Sequence, residues 1–151
     1  MENRNDILVR SPSNDIKLVV EVKGRPHSSE DWAAKFRRNL FTHNLIPKTA
    51  YFLLALPDFL YLWRATNASE AVPPDYTVKT LNVLKRYLTS LEAEPQYIAE
   101  EGLQLALTSW LRDVAFSSKT PPVGSDSYRL LVESGLIDAI DNAEVTAEAH
   151  P

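Results

Sequence analysis

The chain has 151 residues, no cysteine and a formal net charge of −4. One ordinary domain is therefore expected, and disulfides, thiolate metal ligands and cysteine nucleophiles are excluded. No apolar run reaches the ~18 residues of a membrane span, and the start MENRND lacks the apolar core of a signal peptide, so we expect a cytoplasmic protein without a membrane partner.

The charge is distributed unevenly along the chain. Residues 1–64 contain ten Lys and Arg against seven Asp and Glu, whereas residues 65–151 contain six against thirteen. The net charges of the two parts are therefore +3 and −7. The acidic total argues against a general nucleic-acid coat, but a local basic surface on the first part stays open.

The first predicted element is a β-hairpin in NDILVRSPSNDIKLVVEVKGRP, residues 5–26. The segment 12–15 consists of strong turn residues. A symmetric closure gives these pairs next to the turn: Ser11 with Ile16, Arg10 with Lys17 and Val9 with Leu18. Further along, Asp6 lies opposite Glu21. Alternation then makes one face of the hairpin wholly apolar and places Asp6, Glu21 and Lys23 together on the other face.

A helix and a second hairpin follow. The segment HSSEDWAAKFRRNLFTHN predicts a helix from about Ser29 to His43, because Trp32, Phe36 and Leu40 recur at helical spacing. YFLLALPDFLYLWR, residues 51–64, predicts two further strands. The first of these is apolar on both faces, as in a buried strand parallel to the end of the first hairpin, and the second returns antiparallel.

The second half of the chain is predicted to be helical. A connector at 65–75 separates it from the first half. Its apolar periodicity predicts these helices: Val78 to Ala93, Ile98 to Phe116, and Tyr128–Ser134 capped by Gly135, with a further turn at 136–140. We expect an α/β fold of three layers with about four strands in a mixed sheet. Residues 1–66 form the core, 76–141 a helical appendage packed on it, and 142–151 a flexible tail.

The facing acids of the first hairpin are the strongest candidate for chemistry. Two converging carboxylates in a chain without cysteine suit Mg²⁺ or Mn²⁺. Lys23 lies two residues after Glu21 on the same face, about 6.6 Å along the strand. The alternative is a solvent-facing Glu–Lys pair on an amphipathic strand, since Glu-x-Lys is a common tripeptide.

This order of elements resembles the PD-(D/E)XK nuclease superfamily, over roughly residues 5–64. LVVEVKGRP is similar to its metal-binding strand, although Asn5 stands where the motif has proline. The resemblance implies a restriction-endonuclease-like fold and a Mg²⁺ or Mn²⁺ ion held by Asp6, Glu21 and the Val22 carbonyl. It also implies that Lys23 assists the attacking water.

The resemblance further implies metal-dependent hydrolysis of DNA, as by an endonuclease. Arg25, Lys35, Arg37 and Arg38 form a basic cluster that we expect to contact phosphates, the alternative being a solvated helix face. A homodimer is possible by the same analogy, because an exposed first strand would invite pairing. The competing hypothesis is a non-catalytic protein-interaction or nucleic-acid-binding module on the same fold, which the acidic second half favours.

Overall fold

The protein is described from a computed structural model that covers residues 6–43, 46–47, 50–64, 70–88, 98–117 and 119–147. Within these ranges six strands form one mixed sheet: β1 (Ile7–Arg10), β2 (Ile16–Val22), β3 (Tyr51–Ala55), β4 (Phe59–Trp63), β5 (Tyr76–Lys79) and β6 (Glu144–Ala147). Their spatial order is β5-β4-β3-β2-β1-β6. Strands β2 and β3 are parallel, and the other neighbouring pairs are antiparallel. The α/β class is confirmed, with two more strands than the four predicted.

The helices occupy the two faces of this sheet. They are α1 (Glu30–Thr42), α2 (Thr80–Leu84), α3 (Glu100–Ser117), α4 (Asp126–Tyr128) and α5 (Leu136–Ala139), with a 3₁₀ turn at Lys85–Tyr87 and a π-helical turn at Arg129–Glu133. Helix α1 packs on one face of the sheet, and the helices of the second half pack on the other. The predicted three layers are therefore present, and no helix within the described ranges is long and apolar enough to cross a membrane.

Strands β1 and β2 form the predicted hairpin with one change near the turn. Val9 pairs with Leu18, as the symmetric closure requires. Arg10 pairs with Ile16 rather than with Lys17, because the register shifts directly after Val9. The irregularity is confined to the turn end, so the predicted register holds at the other end of the hairpin.

The chain then crosses over through α1 to the parallel strand β3. The Ser29 hydroxyl accepts a hydrogen bond from the Trp32 N–H at 3.0 Å, which caps the first turn of α1. Strand β3 is buried on both faces and lies between β2 and β4, as its apolar sequence predicts. The crossover brings the end of β2 beside the end of β3, where the Lys23 N–H donates to the Ala55 carbonyl at 3.0 Å.

The start of the second half differs from the prediction. Residues 76–79 form strand β5 against β4, and helix α2 begins only at Thr80. The Asp75 carboxylate accepts a hydrogen bond from the Arg64 N–H at 2.8 Å, and Val78 is buried in the sheet. Pairing with β4 therefore overrides the helical periodicity here. The predicted end of that helix, 89–93, lies outside the described residues, as does part of the connector, 65–69.

The later helices agree more closely with the prediction. Helix α3 matches the predicted helix to within two residues at each end. The predicted helix at 128–134 is present as α4 and the π-helical turn, and Gly135 has the positive φ of 84° expected of a C-cap. Helix α5 occupies the predicted further turn. Buried side chains of these helices and of the sheet form one cluster, so the appendage packs on the core.

Strand β6 corrects the prediction of a flexible tail for residues 144–147, while residues 148–151 lie outside the described ranges. It pairs antiparallel with β1 over its whole length. Val145 is buried, and the Arg112 side chain donates to the Val145 carbonyl at 3.1 Å. Strand β1 therefore lies between β2 and β6 and is not an exposed edge, while the homodimer itself stays a prediction.

Candidate metal centre

The open end of the first hairpin brings Asp6 and Glu21 together. Ile7 pairs with Val20, so the next residues outward on the two strands are Asp6 and Glu21. The Asp6 Oδ2 atom accepts a hydrogen bond from the Val22 N–H at 2.7 Å. In return, the Asp6 N–H donates to the Glu21 carboxylate. These reciprocal bonds hold both carboxylates at one end of the hairpin.

The site is supported from the second half of the chain. The Gln104 side-chain amide on α3 donates to the Asp6 carbonyl at 3.4 Å. The Glu100 Oε1 atom, at the start of α3, accepts from the Gly24 N–H at 2.8 Å. A Cβ added at Gly24 would lie 3.5 Å from the Glu100 Cβ. Helix α3 is thus in van der Waals contact with the segment that follows the site strand.

Glu21 has an unusual environment for a carboxylate. Its residue surface is only 7% exposed. Burial, and to a smaller extent the charge of Asp6, raise the pKa of Glu21 from 4.5 to about 7, against the opposing effects of Lys23 and the Asp6 N–H. A buried carboxyl beside a second carboxyl favours either a proton or a cation between the two groups.

Lys23 lies on the same face of β2 as Glu21, because the two residues are two positions apart. Its ammonium group is 5.6 Å from the centre of the Phe36 ring on α1. The Phe36 ring in turn stacks on Trp32 with centroids 5.3 Å apart. The amine is therefore held over an aromatic side chain next to the carboxylates, where it attracts negative charge on Glu21.

The Val22 carbonyl is directed toward the same region. In an extended strand the N–H and C=O of one residue point to the same edge. Because the Val22 N–H is bonded to Asp6, its carbonyl also points to the β1 side of β2. Asp6, Glu21 and the Val22 carbonyl, the three ligands that the resemblance implies, therefore lie at one end of the hairpin.

This donor set fits a hard divalent cation. Mg²⁺ is commonly bound through one or two carboxylates and keeps several waters as its remaining ligands. In the part of the chain that the structure describes, no group of three or more His, Cys, Asp or Glu side chains is placed to hold a metal ion. Asp6 and Glu21 each accept one backbone hydrogen bond, and together they match the one or two carboxylates of such a site.

The four predicted phosphate contacts do not form one surface cluster. Arg25 is exposed, with its guanidinium carbon 4.2 Å from the centre of the Trp32 ring. Lys35 is exposed and bonded to Asp31 at 3.1 Å. Arg38 is half-buried on the same helix. These three side chains retain some access to solvent.

Arg37 is different, and its predicted contact with phosphate is wrong. The residue is 1% exposed. Its guanidinium carbon lies 4.4 Å from the centre of the Phe41 ring and 5.4 Å from that of Trp63. Burial lowers the pKa of Arg37 to about 10. A guanidinium between two rings under the helix cannot reach a nucleic-acid backbone.

Sequence reasoning missed several contacts around the site. The spacing of Trp32 and Phe36 predicts a helix but not that their rings contact the side chains of Arg25 and Lys23. Gln104 and Glu100 are far away in sequence, and no local pattern signals them. Asp58 lies in the turn between β3 and β4, and its carboxylate accepts a hydrogen bond from the His27 N–H at 2.8 Å.

Comparisons with known proteins give no identification. No family model, no curated protein and no solved structure matches this chain. The geometry of the site is therefore the observation that bears on function.

Proposed function

We propose that this protein is a metal-dependent phosphodiesterase that cleaves DNA, on a core of the restriction-endonuclease type. The observation that carries the proposal is the pair of carboxylates, Asp6 and Glu21, bonded across the open end of one hairpin with Lys23 beside them. The sequence of hairpin, crossover helix, parallel strand and antiparallel strand supports the resemblance to the PD-(D/E)XK superfamily.

Asp6 and Glu21 would hold Mg²⁺ or Mn²⁺, and the Val22 carbonyl would add a third protein ligand. When bound, such an ion stabilises negative charge on a phosphate and lowers the pKa of a coordinated water. The chain contributes rigid placement of the oxygens. Since each carboxylate is tied to the backbone of the other strand, little reorganisation is needed on binding.

Lys23 would orient the attacking water and stabilise the added charge on the phosphate. Its ring contact with Phe36 restricts the amine to the region beside Glu21. An ammonium group so placed favours the transition state over the ground state, because the phosphate gains negative charge as the water attacks.

Arg25, Lys35 and Arg38 would position the DNA backbone. Arg25 lies two residues after Lys23, and its stacking on Trp32 orders the guanidinium before DNA arrives. Contacts of this kind fix the register of a duplex without reading its sequence. Many nucleases of this type cleave both DNA strands as dimers, so by analogy the proposal includes a homodimer. The molecular mass of the protein in solution tests this part of the proposal.

A plasmid-cleavage assay with Mg²⁺ or Mn²⁺ tests the proposal. We expect Lys23→Ala to lower the rate by at least about a hundredfold, the scale of one transition-state donor. Glu21→Gln, which removes a proposed metal ligand, should lower the rate by a similar factor. Lys17→Ala is the matched control, because Lys17 lies on the same strand at its far end. Equal activity of wild type and Glu21→Gln would exclude this site as the source of cleavage.

A non-catalytic DNA-binding or protein-interaction module is the second candidate. One Asp6 oxygen accepts a hydrogen bond from the Val22 N–H, so the end of the hairpin is held together without a metal ion. This observation favours the second candidate. The net charge of −7 in residues 65–151 also opposes a large DNA contact on that part. This candidate predicts no cleavage with either metal, and a melting temperature that Mg²⁺ does not change.

A further inference from the structure

A cavity of about 640 Å³ lies in the helical half, away from the candidate metal centre. Its wall is built by α2, the 3₁₀ turn, the second half of α3, the loop before α4, α4 itself and the π-helical turn. Asp113 lines the cavity and lies thirteen residues after Glu100 on α3, which is about 20 Å along a helix. The volume falls in the range of roughly 300–1,000 Å³ that is typical of small-molecule sites.

The inner wall of the cavity is apolar. Val83, Trp110 and Leu131 are all buried in the main core and also line the cavity. They are held by the packing of three different helices, so this surface does not depend on one flexible loop. Such a wall suits the apolar or aromatic body of a ligand.

The side chain of Tyr87 forms one wall of the cavity and is held in a fixed orientation. The Tyr87 hydroxyl donates to the Asp113 Oδ2 atom at 2.7 Å. Asp113 is the one carboxylate among the described residues that line the cavity, and this bond engages one of its two oxygens and orients the phenol ring. Burial and the bond to Asp113 raise the pKa of Tyr87, so the ring stays neutral.

Two cations line the same cavity. Arg86 and Lys119 are exposed, and neither forms a salt bridge with another residue that the structure describes. The Arg86 guanidinium carbon lies 5.5 Å from the centre of the Tyr87 ring. Residues 65–151 contain only six Lys and Arg against thirteen Asp and Glu. Two of the six Lys and Arg residues in this acidic part of the chain thus line one cavity.

We propose that this cavity is a binding site for a small aromatic anion. The ring would lie against Tyr87 and the apolar wall, and its anionic group would meet Arg86 and Lys119. All ligands of this class have a planar ring and one phosphate or carboxylate group. The site is separate from Asp6 and Glu21, and the proposal does not depend on nuclease activity.

The probe is 8-anilinonaphthalene-1-sulfonate, an aromatic anion that fluoresces in apolar surroundings, with neutral N-phenyl-1-naphthylamine as its matched partner. We expect the full-length Arg86→Gln/Lys119→Gln variant to raise the Kd of the anionic probe about tenfold. Binding of the neutral probe should change less than about twofold, because the apolar wall is intact. High salt should weaken only the anionic probe.

The control is Lys17→Gln/Lys79→Gln, which removes the same charge from two strands outside the cavity. It should bind both probes as the wild type does. Ser127→Trp places a bulky ring on the cavity wall and should abolish binding of both probes without changing the far-UV circular dichroism. An equal loss in the control, or unchanged binding in Ser127→Trp, would overturn the proposal.

Competition then identifies the anionic group. Displacement of the anionic probe by adenosine 5′-monophosphate alone supports a phosphate-bearing ligand, and displacement by benzoate alone supports a carboxylate. Displacement by both supports the shared chemistry without preference. If neither compound displaces the probe at millimolar concentration, the cavity is not a site for aromatic anions.

Discussion

The two faces of the sheet bury different kinds of side chain. The face against α3 packs aliphatic residues of β1 to β4 against the helices of the second half. The face under α1 buries an apolar cluster too, but it also holds the charged residues Glu21 and Arg37. Buried charge costs stability unless it is compensated. We infer that burial on the α3 face contributes most of the stability, whereas the buried charges on the α1 face lower the free energy of unfolding.

The largest effect on stability is expected on the α3 face. Leu53 is fully buried in β3, whereas Leu105 on α3 is 70% exposed. Leu53→Ala should lower the free energy of unfolding by about 4 kcal/mol, and Leu105→Ala by less than about 0.5 kcal/mol. Urea denaturation measures both variants. Similar losses in the two would contradict the assignment of this face as the main core.

The next largest expected effect is a dependence of the free energy of unfolding on pH, caused by Glu21. Its pKa is about 7 in the folded protein against an ordinary 4.5, so between these values the folded state holds a proton that the unfolded chain has released. Stability should therefore fall as the pH rises from 4.5 to 7, by up to about 3 kcal/mol. Glu21→Gln should remove this fall in denaturation series measured in chelator.

Glu101→Gln is the matched control for that series, because Glu101 is an exposed glutamate on α3. It should keep the pH dependence of the wild type. The prediction is contradicted if the free energies of unfolding of wild type and Glu21→Gln change equally between pH 4.5 and 7. The environment of Glu21 would then not destabilise its charged form.

The pairing of the two carboxylates was more predictable from the sequence than the positions of the basic side chains around them. Asp6 and Glu21 could be paired because the hairpin turn is short and strand alternation is strict, and the bulge after Val9 does not reach them. The burial of Arg37 could not be predicted, since it depends on Trp63 from a strand distant in sequence.

The outer strands were missed for a related reason. Strands β5 and β6 have four residues each and gain their stability from neighbours that lie far away in the chain. The polar composition of β6 resembles a frayed end, and the periodicity at Val78 resembles a helix. A local pattern cannot show which backbone edge remains available for pairing. The cavity beside Tyr87 was likewise unpredictable, because its wall joins residues as far apart in sequence as Asn82 and Leu131.

Arg37 and Arg25 offer a direct comparison of buried and exposed cations on the α1 face. Arg37→Ala should cost about 2 kcal/mol of stability, because it removes the packing between Phe41 and Trp63 and leaves a cavity. Its DNA affinity should be unchanged once it is measured on folded protein.

Arg25→Ala should show the opposite pattern. We expect a change in stability below about 0.5 kcal/mol and a DNA affinity about threefold to tenfold lower at low salt. Fluorescence anisotropy with a labelled duplex measures the affinity, and urea denaturation the stability. A loss of DNA affinity in Arg37→Ala, with none in Arg25→Ala, would reverse the roles assigned to these two residues.

The smallest expected effect concerns Lys35, whose ammonium group is 3.1 Å from Asp31 in an exposed pair one helical turn apart. Breaking the pair should cost at most about 0.5 kcal/mol of stability. Asp31→Asn leaves Lys35 available for phosphate and should raise the DNA affinity about twofold, whereas Lys35→Gln should lower it by a similar factor. The matched control is Asp126→Asn, on the opposite side of the sheet, which should leave the affinity as it is. If Asp31→Asn and Lys35→Gln both leave the affinity unchanged, Lys35 does not contact DNA, and Arg25 and Arg38 are the remaining candidates for phosphate contacts.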